Sequence, residues 1–227
     1  MTEGILPISP PRLKICGLST PDSVGWAIDA GADAIGLVSF PPSPRHVEPD
    51  RLAGLADLAR GRARIVLLTV DADDALLETL VAAGHPDLLQ LHGRETTDRV
   101  AAVRSRFGLP VMKALGIATA ADVEKARAYD RIADLLLFDA KPPKDATRPG
   151  GLGATFDWNL LREPGFATPF LLSGGLTPTN VGEAIARVRP AGVDVSSGVE
   201  TAPGIKDEAL IRAFASAVKS AGETPAV

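Results

Sequence analysis

Cysteine is almost absent. Cys16 is the single thiol in 227 residues, so no internal disulfide can form, and the chain suits a reducing compartment. Histidine is nearly as scarce: three scattered residues and one cysteine give no metal-ligand spacing. No excess of positive charge is present either. A net charge of -4 offers no broad basic surface, which argues against nucleic acid as a partner. No uninterrupted apolar stretch approaches the roughly 20 residues that a membrane helix needs. The opening MTEGILPISPPR lacks a basic start followed by a long apolar run and carries Pro7, Pro10 and Pro11, so it does not read as a signal peptide. A cytoplasmic protein with no membrane partner is the expectation. Several motifs are missing too. GGLGATF lacks the last glycine of GxGxxG and the Lys-Ser/Thr of a P-loop, and there is no GxSxG nucleophile elbow.

What is present is a chain 45% hydrophobic and 23% charged, long enough to bury a large core without a disulfide or metal staple. The expected organisation is one domain over residues 1–227, with loose arms at 1–11 and 221–227. Short Val/Ile/Leu-rich runs recur, each followed by a helix-compatible segment. The runs are RLKIC, DAIGLVSF, ARIVLLTV, DLLQLHG, PVMKALGI, ADLLLFDA, PFLLSGG and VDVSSG. That makes eight strand–helix units, with a weak helix after the sixth strand. The runs are nearly continuous in apolar character, as parallel strands covered on both faces require. Thr20 before Pro21 and Thr177 before Pro178 are plausible helix caps. An open doubly wound sheet satisfies the same periodicity, but the count of eight favours an α/β, single-domain (β/α)8 TIM barrel. Two long connections, SFPPSPRHVEP and AKPPKDATRPGGLGATFDW, follow strand C-termini, where a barrel builds its site.

The candidate site residues follow from that placement. Cys16 ends the first strand before Gly17, and Asp139 ends the sixth; a barrel gathers such ends around one mouth. Each also has a plainer reading, Cys16 as a small buried hydrophobe and Asp139 as a turn cap. Gly174 and Gly175 in LLSGGL, with Ser197 and Gly198 in DVSSGVE, form two small-residue turns after the last two strands. Such turns expose N–H groups to a phosphate, or need glycine only for backbone geometry. Arg45 in SPRHV either grips a carboxylate in bidentate fashion or is simply solvated. His92 ends the fourth strand and is either structural or a pocket-lining residue; His46 and His85 read as loop residues.

Taken in order, KICGL, GADAIGLVSFPPSPRHV, LQLHG, VMKALGI, LLFDA, PGGLGATFDW, FLLSGGL and DVSSGVETAPGIKD resemble the phosphoribosylanthranilate isomerase family of tryptophan biosynthesis, from residue 12 to about residue 215. The resemblance implies a cofactor-independent (β/α)8 enzyme performing an Amadori rearrangement on a phosphorylated sugar, with Cys16 as general base and Asp139 as general acid. It places Arg45 against the anthranilate moiety and the turns at Gly174–Gly175 and Ser197–Gly198 around the phosphate. The chain departs from the family at Ala154, where a lysine is common, with Lys141, Lys144 or Arg148 as nearby replacements, and at His46, where tyrosine is common. A free thiol titrates near ~8.5 and a free aspartate near ~3.9, so the chemistry asks the surroundings to bring both toward neutrality. Cations and helix N-termini at the barrel mouth are expected to lower the thiol value.

Three other readings compete. The related isomerase of histidine biosynthesis uses an aspartate where Cys16 stands. Sugar-phosphate epimerases of this fold need metal-binding strand ends that are missing. A non-catalytic phosphate-binding barrel needs the glycine turns but not both Cys16 and Asp139. The expected working form is a monomer with a small phosphorylated substrate.

Overall fold

The computed structural model of the chain describes residues 9–141, 150, 151, 153, 155–162 and 165–223. Eight parallel strands pair in chain order: β1 (Leu13–Cys16), β2 (Ala34–Ser39), β3 (Arg64–Thr69), β4 (Leu88–Leu91), β5 (Val111–Ile117), β6 (Leu135–Ala140), β7 (Phe170–Leu172) and β8 (Gly192–Val195). β1 also pairs with β8, Lys14 opposite Asp194, so the sheet closes on itself. That closure excludes the open doubly wound sheet. The strands alternate with α1 (Pro21–Asp29), α2 (Pro49–Ala59), α3 (Asp74–Gly84), α4 (Thr97–Phe107), α5 (Ala120–Ala126), α6 (Val181–Val188) and α7 (Glu208–Glu223). Among the described residues the sixth unit carries only a 3-10 turn, Trp158–Leu161, in place of the weak helix expected there. A small hairpin of β9 (Glu200–Ala202) and β10 (Ile205–Lys206) stands between β8 and α7.

The strand runs look uniformly apolar because both faces are buried, yet the period-2 alternation of strands still sorts them. Ile15, Ile35, Leu37, Ile65, Leu67, Leu89, Leu136, Phe138 and Val193 face out and pack under the helices in the main core. Ala34, Val66, Leu88, Met112, Leu135, Leu137 and Leu171 form a separate cluster that fills the barrel interior. Cys16, Val38 and Leu68 make a third cluster nearer the strand C-termini. Cys16 shares the inward parity of Lys14 on β1, and Asp139 that of Leu135 and Leu137 on β6, so alternation points both into the barrel mouth.

The helix starts show where local sequence is decisive. Thr20 caps α1 as expected: its Oγ1 accepts from Ser23 N at 3.2 Å, and Ser23 Oγ accepts from Thr20 N at 3.2 Å. Thr177 does not cap a helix. α6 begins at Val181 with Asn180 as its N-cap, and Asn180 Oδ1 accepts from Thr177 N at 2.8 Å, which folds residues 177–180 into a turn. Of the expected terminal arms, residues 1–8 and 224–227 lie outside the described residues, while α7 continues through 221–223. Among the described residues, no helix is long and apolar enough to cross a membrane.

Asp122 fastens the start of α5 to the strand that carries Asp139. Its Oδ2 accepts from Ala118 N, Thr119 N and Thr119 Oγ1, and its Oδ1 receives Lys141 Nζ at 2.5 Å. Burial pushes this carboxyl up, but the Lys141 ammonium and the Thr119 and Ala118 donors outweigh it and hold the value at about 2. A depressed carboxyl stabilises the fold fully above its unfolded value of 3.8, and that contribution is lost as pH falls through about 2. Urea unfolding of Asp122→Asn should therefore lose less stability than wild type across this acid range; parallel pH curves for the two proteins would refute the assignment.

Candidate active site

A pocket enclosing about 810 Å³, open mouth included, lies at the C-terminal ends of the strands. All eight residues singled out from the sequence line it: Cys16, Arg45, His92, Asp139, Gly174, Gly175, Ser197 and Gly198. They come from β1 and β6 and from the connections after β2, β4, β7 and β8. Val38, Phe40, Leu68 and Val70 supply an apolar wall on the Cys16 side.

Cys16 is 4% exposed, and charged groups surround it. Lys14, two residues earlier on the same face, is fully buried and donates from Nζ to Asp194 Oδ1 at 2.6 Å; Ser173 Oγ donates to Asp194 Oδ2 at 3.2 Å. Gly36, opposite Cys16 on β2, makes room for this group. A β-carbon there would lie 2.7 Å from Cys16 Sγ and 3.1 Å from Lys14 Nζ. Gly17 takes a left-handed φ of 77°, and a β-carbon on it would meet Arg45 Cδ at 2.4 Å. The glycine after the cysteine thus serves both the turn and the Arg45 stem lying over it. Burial pushes the Cys16 thiol up, Lys14 pulls it down and Asp194 pushes it up again, and the result is above the ordinary thiol value. The expected lowering does not hold: desolvation of the anion outweighs the nearby cation.

Asp139 is buried at the end of β6, with Oδ1 accepting from Ala140 N at 2.8 Å and Oδ2 3.5 Å from His92 Nε2. His92 Nδ1 meets Gln90 Nε2 at 3.2 Å. With the amide as donor, Nδ1 accepts and Nε2 carries the proton that faces Asp139. Of its two sequence readings, His92 therefore fits the pocket-lining one. Gly150 passes directly over this pair: a β-carbon there would sit 2.4 Å from Asp139 Oδ2 and 3.0 Å from His92 Nε2.

Arg45 is neither solvated nor open for a bidentate grip. Its Nε and Nη2 close on the two oxygens of Glu200, both at 2.7 Å, and Nη2 reaches Gly151 O at 3.3 Å. Lys206 Nζ donates to Glu200 Oε1 at 2.7 Å and to Ser196 O at 2.9 Å. Burial would raise the Glu200 carboxyl, but its two cations hold it below the usual range, while burial leaves Lys206 below the usual lysine value despite Glu200. A buried carboxylate needs its counter-charge, so Glu200 takes the fork that the sequence assigns to an outside carboxylate. Nη1 is left as the nitrogen with no carboxylate partner among the described residues.

The two small-residue turns come together at the far side. Gly174 and Gly175 have φ of 87° and 62°, and a β-carbon on Gly174 would meet Ala140 N at 2.5 Å. Gly198 packs so close to the turn after β7 that a β-carbon would lie 1.8 Å from Leu176 O. Glycine is required here for backbone geometry. Among the described residues no acceptor pairs with the N–H of Gly175 or Ser197, which also suits an anion.

Sequence reasoning missed Lys14, Gln90, Ser173, Asp194, Glu200 and Lys206. A signal was available for four of them: a lone polar or charged residue at an inward position of an otherwise apolar strand run, as in RLKIC, DLLQLHG, PFLLSGG and VDVSSG. Nothing in the sequence pairs Arg45 with Glu200. Of the nearby replacements for a loop lysine, Lys141 is bound to Asp122, and Lys144, Arg148 and Ala154 lie outside the described residues. His46 closes the loop after β2, its Nδ1 accepting from Phe40 N at 3.0 Å, and His85 is the left-handed C-cap of α3.

Comparison with known proteins bears on this pocket. The family model for N-(5'phosphoribosyl)anthranilate (PRA) isomerase matches residues 13–217. A relative from Rhodopseudomonas palustris, N-(5'-phosphoribosyl)anthranilate isomerase, is 57% identical over 212 residues, covering 93% of this chain and 97% of the relative. The crystal structure of phosphoribosyl anthranilate isomerase from Thermotoga maritima superposes with a TM-score of 0.83 at 34% identity, covering 92% of this chain and 98% of that one. A further crystal structure of this isomerase, in complex with reduced 1-(o-carboxyphenylamino)-1-deoxyribulose 5-phosphate, gives a TM-score of 0.80 at 32% identity, with 92% and 98% coverage.

A raised thiol value means that Cys16 keeps its proton at neutral pH. Alkylation by iodoacetamide at pH 7 should be slower than that of a free cysteine and should still be accelerating above the ordinary thiol range near pH ~8.5. A rate that reaches its plateau below neutrality would contradict this.

Proposed function

The chain belongs to the N-(5'-phosphoribosyl)anthranilate isomerase family, and we propose that Cys16 and Asp139 are the base and acid with which it makes 1-(2-carboxyphenylamino)-1-deoxyribulose 5-phosphate. The activity is an intramolecular aldose–ketose isomerisation of N-(5-phosphoribosyl)anthranilate in tryptophan biosynthesis. One observation carries the residue assignment: the lone thiol and the β6 aspartate share an inward parity and line the same pocket, with the glycine turns beside them.

The substrate is a furanose aminal. Asp139 protonates the ring oxygen, the bond from that oxygen to the anomeric carbon breaks, and nitrogen supplies the electron pair for an iminium. Cys16 as thiolate takes the proton from the second ribose carbon, and the electrons of that bond form an enolamine while nitrogen recovers its pair. The enolamine tautomerises to the ketone. His92, 3.5 Å from Asp139 Oδ2, orients the acid and can share its proton. Gln90 in turn fixes His92.

The two ends of the substrate match two different walls. The phosphate suits the turns of Gly174, Gly175, Ser197 and Gly198, where glycine lets the backbone approach closely and Ser197 adds a hydroxyl. The anthranilate ring suits the apolar wall of Val38, Phe40, Leu68 and Val70, with its carboxylate toward Arg45 Nη1. Glu200 keeps the Arg45 guanidinium in one place, so this contact is a single charge-assisted bond. Holding both ends sets the ribose between acid and base, and such positioning contributes several kcal/mol to the rate, roughly. No step asks for a cofactor. The chain is proposed to act as a monomer, because the exposed large apolar side chains among the described residues, Leu58, Leu76, Ile132 and Ile205, belong to separate elements.

Cys16→Ala and Asp139→Ala should each lower kcat by at least about 10²-fold in an assay that follows anthranilate-moiety fluorescence. Arg45→Ala should act mainly on KM. Near-native turnover in either of the first two variants would overturn the assigned roles.

A further inference from the structure

The barrel interior holds one charged pair that the chemistry above does not use. Lys14 is fully buried, and its ammonium is bound to Asp194, itself held by Ser173 Oγ. The neighbouring interior positions are Ala34, Val66, Leu88, Met112, Leu135 and Leu171, all apolar. A buried ion pair among such residues is poor value for stability, since well-packed apolar side chains of similar volume do as well or better. Its position suggests another use. Lys14 and Cys16 point the same way from β1, and the missing side chain of Gly36 opens one space onto which both Sγ and Nζ face.

We propose that Lys14 is a positioning residue for the Cys16 thiolate: its ammonium, anchored by Asp194 in the pocket wall, holds the negative charge of the sulfur, and the balance between the two sets how readily Cys16 ionises. The inference deepens the reading of Cys16 as the base and rests on it. Among the described residues, three charged groups bear on the sulfur. Lys14 on β1 favours the anion, Asp194 on β8 opposes it, and Lys206 on β10 favours it more weakly. Arg45, His92 and Asp139 share the same pocket, but the Arg45 charge is matched by Glu200. Burial disfavours the thiolate more than any single neighbour helps it. Lys14 is thus the largest favourable influence on an ion that the reaction requires, and Asp194 both fixes that cation in place and moderates it.

Charges of opposite sign give the test a direction that loss of packing cannot imitate. Cys16 is the only cysteine, so iodoacetamide alkylation followed across pH reads a single site. Lys14→Gln should slow alkylation at neutral pH by at least about tenfold, the effect of one unit in thiol pKa, and move the pH midpoint up. Asp194→Asn should speed alkylation and move the midpoint down. The alkaline-going limb of the kcat profile should shift in the same two directions. Lys14→Gln alkylated at the wild-type rate, or both variants shifted the same way, would overturn the proposal. Should Lys14→Gln not fold, Lys14→Gln/Asp194→Asn keeps a neutral hydrogen-bonded pair: it should react more slowly than Asp194→Asn, and equal rates would overturn the proposal. Failure of the base assignment is separable. Cys16→Ser with full turnover would remove the catalytic reading and leave the alkylation results standing.

Discussion

The pairing of β1 with β8 is the contact on which the rest depends. It places Lys14 opposite Asp194, two residues 180 apart in sequence, and so creates the charged floor beneath Cys16. Closure also removes the two exposed edges an open sheet would leave. It turns eight C-terminal strand ends toward one space, which is how residues from the first and sixth strands come to share a pocket. Remove that one ladder, and the thiol and the carboxyl no longer belong to a common site.

Around the pocket, charge is organised as local matching rather than as an open positive field. Lys14 is matched by Asp194, Arg45 and Lys206 by Glu200, Lys113 by Glu95, and Lys141 by Asp122. Each partner fixes a cation in or near the pocket while limiting its strength. Lys113 illustrates the structural version: its Nζ binds Gly93 O at 2.9 Å and Glu95 Oε2 at 2.8 Å, pinning the turn that follows His92. The polar contacts left for a ligand are therefore few and directional, and the apolar wall beside Cys16 supplies area without competing for them.

The glycines tie the backbone to the chemistry. Gly17, Gly36, Gly150 and Gly174 each stand where a β-carbon would meet Arg45, Cys16, Asp139 or the main chain beside Asp139 at under 3 Å. Small residues at these four points let the functional groups approach one another, so steric need and function coincide. This is why the motifs KICG and LLSGG set a pocket-lining residue or a turn next to glycine: one cannot be moved without the other.

Much was legible from the residues themselves. Eight apolar runs separated by helical segments indicate parallel α/β units whose count favours a barrel over an open sheet, and the positions of Cys16, His92 and Asp139 at or just past strand ends mark the residues that line the pocket, because these follow from local periodicity and chain order. Thr20 was readable as a cap since its partner Ser23 is three residues away; Thr177 was not, since Asn180 competes for the same turn. Tertiary structure decided the rest. Glu200 claims Arg45 from 155 residues away, and burial reverses the expected tuning of Cys16. Sequence fixes what each segment does locally, whereas the partner of a charge and the dielectric around it exist only once distant segments have packed together.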